Sequence, residues 1–342
     1  MINLSSDYLE GCHPSILKRL AEINEEQTPG YGLDPYCEEA AGAIRKAFGC
    51  PESDVHFLVG GTQTNEIVIS SVLRPYEGVI CAASGHINVH ETGAVEATGH
   101  KVIALPHREG KITSAQISVA MALQGDDEHT VRPGMVYISM ATELGTVYSL
   151  TELKDLYITC RQAGLYLYID GARLGYALSS PICDLQPADI ARYSDVFTVG
   201  GTKQGALFGE AVVITNPDLK KNFRYMMKRG GAMLAKGRLL GVQFAELMKD
   251  GLYFTLSKKA VEQAMQIRDV LLNEKNLPVL ADSSTNQLFP IFTDDQLEAL
   301  EEEFILSVWE RVDESHTAFR VTTSWCTPQS HVDAFISALR KL

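Results

Sequence analysis

Lys203 stands in Gly200-Gly201-Thr202-Lys203-Gln204-Gly205-Ala206, a run of small residues between two apolar segments. Small neighbours leave a flat ligand room to reach the amine. An amine withdrawn from water and set near other cations loses its proton more readily, which suits it to Schiff-base chemistry. On its own, the segment also reads as an exposed loop with an ordinary lysine. Asp170 opens Asp170-Gly171-Ala172-Arg173-Leu174, directly after the apolar run Leu165–Ile169. A carboxylate there needs a partner. A protonated pyridine nitrogen would be one, and the pairing would make the ring an electron sink. A structural salt bridge between Asp170 and Arg173 is the other reading. Gly60-Gly61-Thr62-Gln63-Thr64-Asn65 follows the run Val55–Val59. Its glycines admit a close ligand, and a helix starting there would offer free N–H groups and hydroxyls to a phosphate. A tight turn with a threonine cap fits the same residues. His86, in Ser84-Gly85-His86-Ile87-Asn88-Val89-His90-Glu91, follows Val79–Ala82. Its ring could stack on a flat cofactor. It could also join His90 around a metal, although no third ligand or His-Glu-x-x-His pattern accompanies them. A satisfied polar histidine fits as well.

The elements that must position these residues follow from periodicity. Seven apolar, β-branched or aromatic runs read as buried strands: Val55–Val59, Val79–Ala82, Lys101–Leu105, Met135–Ala141, Leu165–Ile169, Val196–Val199 and Ala211–Ile214. The first five gaps are long enough for crossover helices, as at Thr64–Leu73, Asn88–Thr98 and Thr151–Ala163. Alternating strand and helix implies an α/β fold, with a mostly parallel seven-stranded sheet covered on both faces. The last gap, Gly200–Glu210, is too short for a helix, so the final two strands are expected to pair antiparallel. Ligands of open α/β sheets gather at the carboxyl ends of the strands. A phosphate loop, a stacking histidine, an aspartate and a lysine each end one of these strands. Their coincidence points to pyridoxal 5′-phosphate (PLP), with Lys203 as its Schiff-base partner.

After Ile214 the pattern changes to helices over about 233–247 and 255–273. Short strands near Gln287–Phe292 and Phe319–Thr323 follow, then a helix over 329–342. The expected division is a large domain with the N-terminal segment over 1–250 and a small α+β domain over 251–342. The chain has 342 residues, 45% of them hydrophobic, and a formal net charge of -13. That acidic balance argues against nucleic acid or anionic membranes as partners. No signal peptide is expected at Met1-Ile2-Asn3-Leu4-Ser5-Ser6-Asp7, and no apolar run approaches the roughly 20 residues of a membrane span. Seven scattered cysteines without a Cys-x-x-Cys pair suggest reduced thiols in the cytoplasm.

The chain resembles the threonine aldolase and β-eliminating lyase family of fold-type I PLP enzymes. Ser5-Ser6-Asp7, Tyr31-Gly32-Leu33-Asp34-Pro35, Gly61-Thr62-x-x-Asn65 and Asp170-Gly171-Ala172-Arg173-Leu174 carry the likeness, and Thr202-Lys203-Gln204-Gly205 carries it more loosely. The resemblance implies that Gly61 and Thr62 bind the PLP phosphate, His86 stacks on the ring and Asp170 pairs with its nitrogen. Arg173 would contact the ring oxygen or the substrate carboxylate, and Lys203 would hold the cofactor. Arg320 would bind the carboxylate with help from Ser6, and Tyr31 would lie at the site mouth. His129 resembles a second active-site histidine. Gly230-Gly231-Ala232-Met233-Leu234 and Thr142-Glu143-Leu144-Gly145-Thr146 depart from the family's usual runs. At the first of these, Lys228, Arg229 or Lys236 could serve a neighbouring subunit's phosphate, which implies a homodimer or homotetramer.

The reaction so implied cleaves the Cα–Cβ bond of a β-hydroxy-α-amino acid. Threonine or allo-threonine would give glycine and acetaldehyde, with His86, His129 or a water as base. Alternatives are another PLP reaction (β-elimination, racemisation or transamination) and a non-catalytic protein of the same fold. A nicotinamide or SAM-binding Rossmann enzyme is disfavoured, because the first strand–helix turn here lacks the Gly-x-Gly-x-x-Gly spacing and no ribose-binding acid follows in a suitable place.

Overall fold

The apolar runs become strands because helices cover both of their faces. The computed structural model describes residues 1–124 and 127–342. In chain order the strands are β1 (Ile2–Asn3), β2 (Asp54–Leu58), β3 (Glu77–Ala82), β4 (Val102–Leu105), β5 (Arg132–Ser139), β6 (Tyr166–Asp170), β7 (Val196–Gly200), β8 (Glu210–Ile214), β9 (Gln287–Leu288), β10 (Ile291–Thr293), β11 (Phe304–Ile305), β12 (Ser307–Arg311) and β13 (His316–Thr322). Successive side chains on β5 and β6 enter opposite layers. Val136, Ile138 and Leu167 join the core on one face, whereas Met135, Tyr137 and Tyr168 join that on the other. Two buried faces require continuous apolar runs rather than alternation.

The large sheet has the order β2-β8-β7-β6-β5-β3-β4. Only β8 runs against the rest, pairing antiparallel with both β2 and β7. The seven expected strands are therefore present, with the last two in the expected antiparallel pair. Crossover helices include Gly61–Val72, Ser114–Gln124 and Leu150–Ala163. The single helix expected over 88–98 is instead two short ones, His86–Val89 and Ala94–Ala97. Thr92 and Gly93 break it, both at positive φ.

Register carries the chemistry to one edge. Ser139 lies beside Asp170 across β5 and β6. Gly200 lies opposite Glu210 across β7 and β8, and Leu58 faces Glu210 from β2. The turn after β6 passes so close to β7 that a Cβ on Gly171 would lie 1.9 Å from the Thr198 carbonyl oxygen. We expect Gly171→Ala to lower stability by at least about 1–3 kcal/mol, the usual penalty for overpacking. Urea unfolding checks this.

The C-terminal part sets β12, β13 and β10 side by side, with β9 against β13. It adds the helices Leu252–Asp269, Asp294–Glu301 and Gln329–Lys341. The chain's first strand joins this part, because β1 pairs parallel with β11. Leu4 accordingly shares a core with Phe292, Phe304, Phe319 and Phe335. Strands β11 and β12 were not expected, since β12 is mostly exposed and has no apolar run.

Candidate active site

The helix Gly61–Val72 begins without a side-chain cap; Gly60 is its N-cap. The threonine-cap reading is thereby replaced. The first N–H groups remain open beside the cavity that Gly60, Gly61 and Thr62 help to line. A Cβ on Gly60 or Gly61 would meet nothing within 4 Å, so the glycines leave room for a group at a helix N-terminus. That is a site for phosphate.

Asp170 ends β6 and is buried. Its Oδ2 accepts from the Tyr137 hydroxyl at 2.6 Å and from Asn65 Nδ2 at 3.1 Å. Its Oδ1 accepts from the Ala172 N–H at 2.9 Å. These donors fix the carboxylate where a pyridine N–H would meet it. Asn65 also donates to Glu91 Oε1 at 2.8 Å and accepts from the Tyr168 hydroxyl at 2.7 Å. Glu91 Oε1 in turn lies 2.7 Å from His86 Nδ1. One network thus orients both the aspartate and the histidine. His90 packs on His86 with ring centroids 5.5 Å apart.

Lys203 occupies the tight loop between β7 and β8, as the short gap required. Burial pushes its amine below the ordinary lysine range, and the Arg173 charge adds to this. Asp7, Asp170 and Glu210 act in the opposite direction. Burial, and then Asp170, push the Glu210 carboxyl well above the ordinary glutamate range, while Lys203 and Thr202 act against this.

Arg173 does not pair with Asp170. Its Nε and Nη2 hold the two carboxylate oxygens of Asp7 at 2.7 and 2.9 Å. Asp7 is fully buried and also accepts from Asn286 Nδ2 at 2.9 Å. Arg173 therefore keeps Nη1 for an anion. Arg320 Nη2 donates to the Ser5 carbonyl at 3.0 Å, and its Nε is buried without a partner. The Ser6 hydroxyl nearby is likewise buried and unpartnered. Such orphaned donors suit an incoming carboxylate.

These groups converge on two adjoining cavities. One, of about 300 Å³, contains Gly61, Thr62, His86, Asp170, Arg173 and Lys203 in its wall. The other, of about 400 Å³, is bounded by Tyr8, His90, Trp309 and Arg320. Tyr8, His86, Glu143, Arg173 and Lys203 border both. Ser6 lies outside the two walls but next to Ser5, which holds Arg320.

His129 is not brought to the site. It is exposed in the segment before β5, at the amino end of that strand. Its N–H donates to Asp127 Oδ1 at 2.9 Å. The cavity lies at the other end of β5, roughly 23 Å away at about 3.3 Å per strand residue. The resemblance at Asp127-Glu128-His129 is local, and local likeness does not say which end of a strand a residue serves. Tyr31 also stands apart, near Arg224 and a small cavity of about 80 Å³. Lys228 Nζ sits 4.6 Å over its ring. None of Lys228, Arg229 and Lys236 borders the Lys203 cavities.

Tyr8, Asp7, Glu91, Glu143 and Glu210 are the site residues that sequence reasoning missed as such. Glu143 carried one available signal, since it falls in a segment that departs from the resembled family.

A mixed sheet with an anion-binding helix N-terminus, a buried aspartate and a lysine of lowered pKa at one edge defines a PLP-dependent enzyme of fold type I. The family model described as beta-eliminating lyase matches residues 3–292. The chain is 32% identical to a low specificity L-threonine aldolase of a Pseudomonas species over 300 residues, 86% of each chain. It is 30% identical to another from Pseudomonas aeruginosa, again over 86% of each. Its backbone matches the solved structure of a Leishmania major threonine aldolase with a TM-score of 0.97 and 44% identity, covering 100% of this chain and 99% of that one. The chain belongs to the beta-eliminating lyase family.

Proposed function

We infer that this chain is a PLP-dependent threonine aldolase, which cleaves a β-hydroxy-α-amino acid between Cα and Cβ. Threonine or allo-threonine would yield glycine and acetaldehyde. One observation carries the reading: Lys203, Asp170, His86 and Arg173 border a single cavity whose wall includes the Gly60-Gly61-Thr62 helix N-terminus. PLP supplies an aldehyde for amines and a ring that withdraws electrons from the substrate's Cα.

The chain's own residues do the rest. Gly61 and Thr62 hold the phosphate at the helix N-terminus. Asp170, fixed by Tyr137 and Asn65, pairs with the ring nitrogen. His86, tethered through Nδ1 to Glu91, presents its ring to the cofactor and its Nε2 to the cavity. Lys203 attaches the cofactor through its amine, which burial helps to keep neutral. Arg173, through Nη1, and Arg320 grip the substrate carboxylate, with Ser6 beside them. That grip would orient the substrate for the bond to be broken, the role that positioned charged side chains serve in catalysis.

The same proposal extends to assembly and setting. The resemblance assigns Tyr31 to a site mouth, yet Tyr31 lies away from its own chain's cavity and is 46% exposed. A homodimer or homotetramer in which Tyr31 and the Lys228–Arg229 segment serve the neighbouring copy accounts for this. All seven cysteines are free, which supports a cytoplasmic setting. Among the described residues no helix is long and apolar enough to cross a membrane. We place the boundary between residues 1–250, the N-terminal segment with the large domain, and a small domain (251–342) at Asp250-Gly251, where both residues take positive φ; β1 of the N-terminal segment packs with the small domain.

The test uses the PLP-loaded protein with L-threonine and L-allo-threonine. Acetaldehyde release from at least one is expected. Release from neither would turn the reading towards β-elimination, racemisation or transamination. Failure to take up PLP at all would overturn it.

A further inference from the structure

We propose that Glu143 is a catalytic residue of this site, and that its Oε2 accepts the β-hydroxyl proton of the substrate. The proposal rests on the aldolase reading and gives it a carboxylate base beside His86, now that His129 is found at the far end of β5.

Glu143 follows β5 and is only 8% exposed. Its Oε1 accepts from the His86 N–H at 2.8 Å and from Ser139 Oγ at 2.5 Å. Its Oε2 makes no hydrogen bond to the described residues. It is also absent from the buried, unpartnered side-chain atoms, so it is open to the cavities that Glu143 borders. One oxygen anchors the group and the other is available.

Structure alone does not require the charge. A glutamine would accept the same two bonds through its own Oε1. A buried carboxylate carries a desolvation penalty that an amide avoids. Arg173, which borders the same cavities, is already held by both carboxylate oxygens of Asp7. The carboxylate is therefore surplus to packing and available for chemistry.

Proton transfer to Oε2 balances simply. The β-hydroxyl O–H bond breaks and its proton passes to Oε2. The released O–H pair becomes the second carbon–oxygen bond of the aldehyde. The Cα–Cβ pair stays with the glycyl carbon, which takes a proton in turn. Oε2 then returns its proton to solvent.

Burial pushes the Glu143 carboxyl above the ordinary glutamate range, while Ser139, the His86 N–H and the His86 ring act against this. A base with a raised pKa works closer to neutral pH. The charged and titratable groups that face Glu143 are His86 and His90 after β3, Tyr137 on β5, Arg173 after β6, Lys203 after β7 and Arg320 on β13. Tyr8 also faces it across both cavities, Asp170, Glu210 and Glu91 share the first cavity with it, and Cys81 and Tyr148 lie within its electrostatic reach.

The experiment compares the PLP-loaded parent with Glu143→Gln and Glu143→Asp. For Glu143→Gln, PLP uptake by visible titration and the melting temperature are expected to match the parent. Its kcat for acetaldehyde release should fall about 10²-fold or more, with KM within a few-fold. The acid limb of its kcat profile should disappear, because the base that must ionise is gone. Glu143→Asp, which keeps the charge on a shorter arm, should recover part of kcat and keep the limb. A Glu143→Gln protein with near-parental kcat and an intact acid limb overturns the proposal. So does loss of PLP uptake or of the fold in that variant, which would assign the charge to structure. A parent that releases no acetaldehyde overturns the aldolase reading itself.

Discussion

Lys203→Ala protein, purified and mixed with PLP, is expected to show no visible band that borohydride removes. Its turnover should fall by about 10⁴-fold or more, the scale seen when one member of a catalytic unit is deleted. The reasoning is geometric. Lys203 is the only lysine bordering either cavity among the described residues. The residues flanking it, Gly200, Gly201 and Gly205, tolerate a shorter side chain without collapse. The main structural contact at this position uses backbone, because the Tyr176 hydroxyl donates to the Lys203 carbonyl. The variant should therefore fold and still offer the phosphate cradle. Absorbance spectra before and after borohydride decide the matter; a reducible band in the alanine variant would remove Lys203 from its role.

The second large effect concerns stability. Asp7→Asn should cost about 3–5 kcal/mol, since it leaves Arg173 as a buried charge without its counterion. Asp7 is fully buried, and the Arg173 side chain is 12% exposed, so water screens the pair little. Burial pushes the Asp7 carboxyl up, but the Arg173 charge and hydrogen bonds, with Lys203 and Asn286, bring it below the ordinary aspartate range. The sign of the pH dependence follows. A depressed carboxyl contributes stability that is complete above its unfolded pKa and is lost as pH falls through its folded one. The parent should weaken in that acidic window, and Asp7→Asn should lack this component. Guanidinium unfolding of both proteins at neutral and acidic pH measures it. Equal midpoints at neutral pH would show that the pair adds nothing.

Asp7 also shows what the sequence could and could not reveal. The large sheet was legible because β3 and β5–β8 are buried on both faces and read as nearly continuous apolar runs, with only β2 and β4 partly exposed. Lys203 and Asp170 were legible because strand ends are short in sequence and fixed in space. Arg173 was legible as an anion ligand, but its partner was not, for Asp7 lies 166 residues away. Glu91, Glu143 and Glu210 had no better chance. Each is a buried acid whose meaning depends on register between strands, and an isolated glutamate carries no periodic signal. Strand β12 failed for the opposite reason: most of it faces water, and its pairing comes from β13 rather than from its own composition. His129 illustrates the residual ambiguity. A motif can be matched correctly in order yet fall at the wrong end of a strand.

The parallel pairing of β1 with β11 sets a schedule for how the molecule is made. Ile2 emerges early relative to its partner Phe304, which follows roughly 300 residues later. At about 5–20 residues per second that is an interval of roughly 15–60 s. All seven strands of the large sheet, and Lys203 with them, leave the ribosome within the first 214 residues. The N-terminal strand must therefore wait, unpaired, beside a sheet whose strands have all emerged. Arg320 appears after β11 and meets Ser5 later still, so the carboxylate grip is the last part of the pocket to form. A chain stalled before Phe304 could hold PLP in its cradle while remaining unable to seat an amino acid.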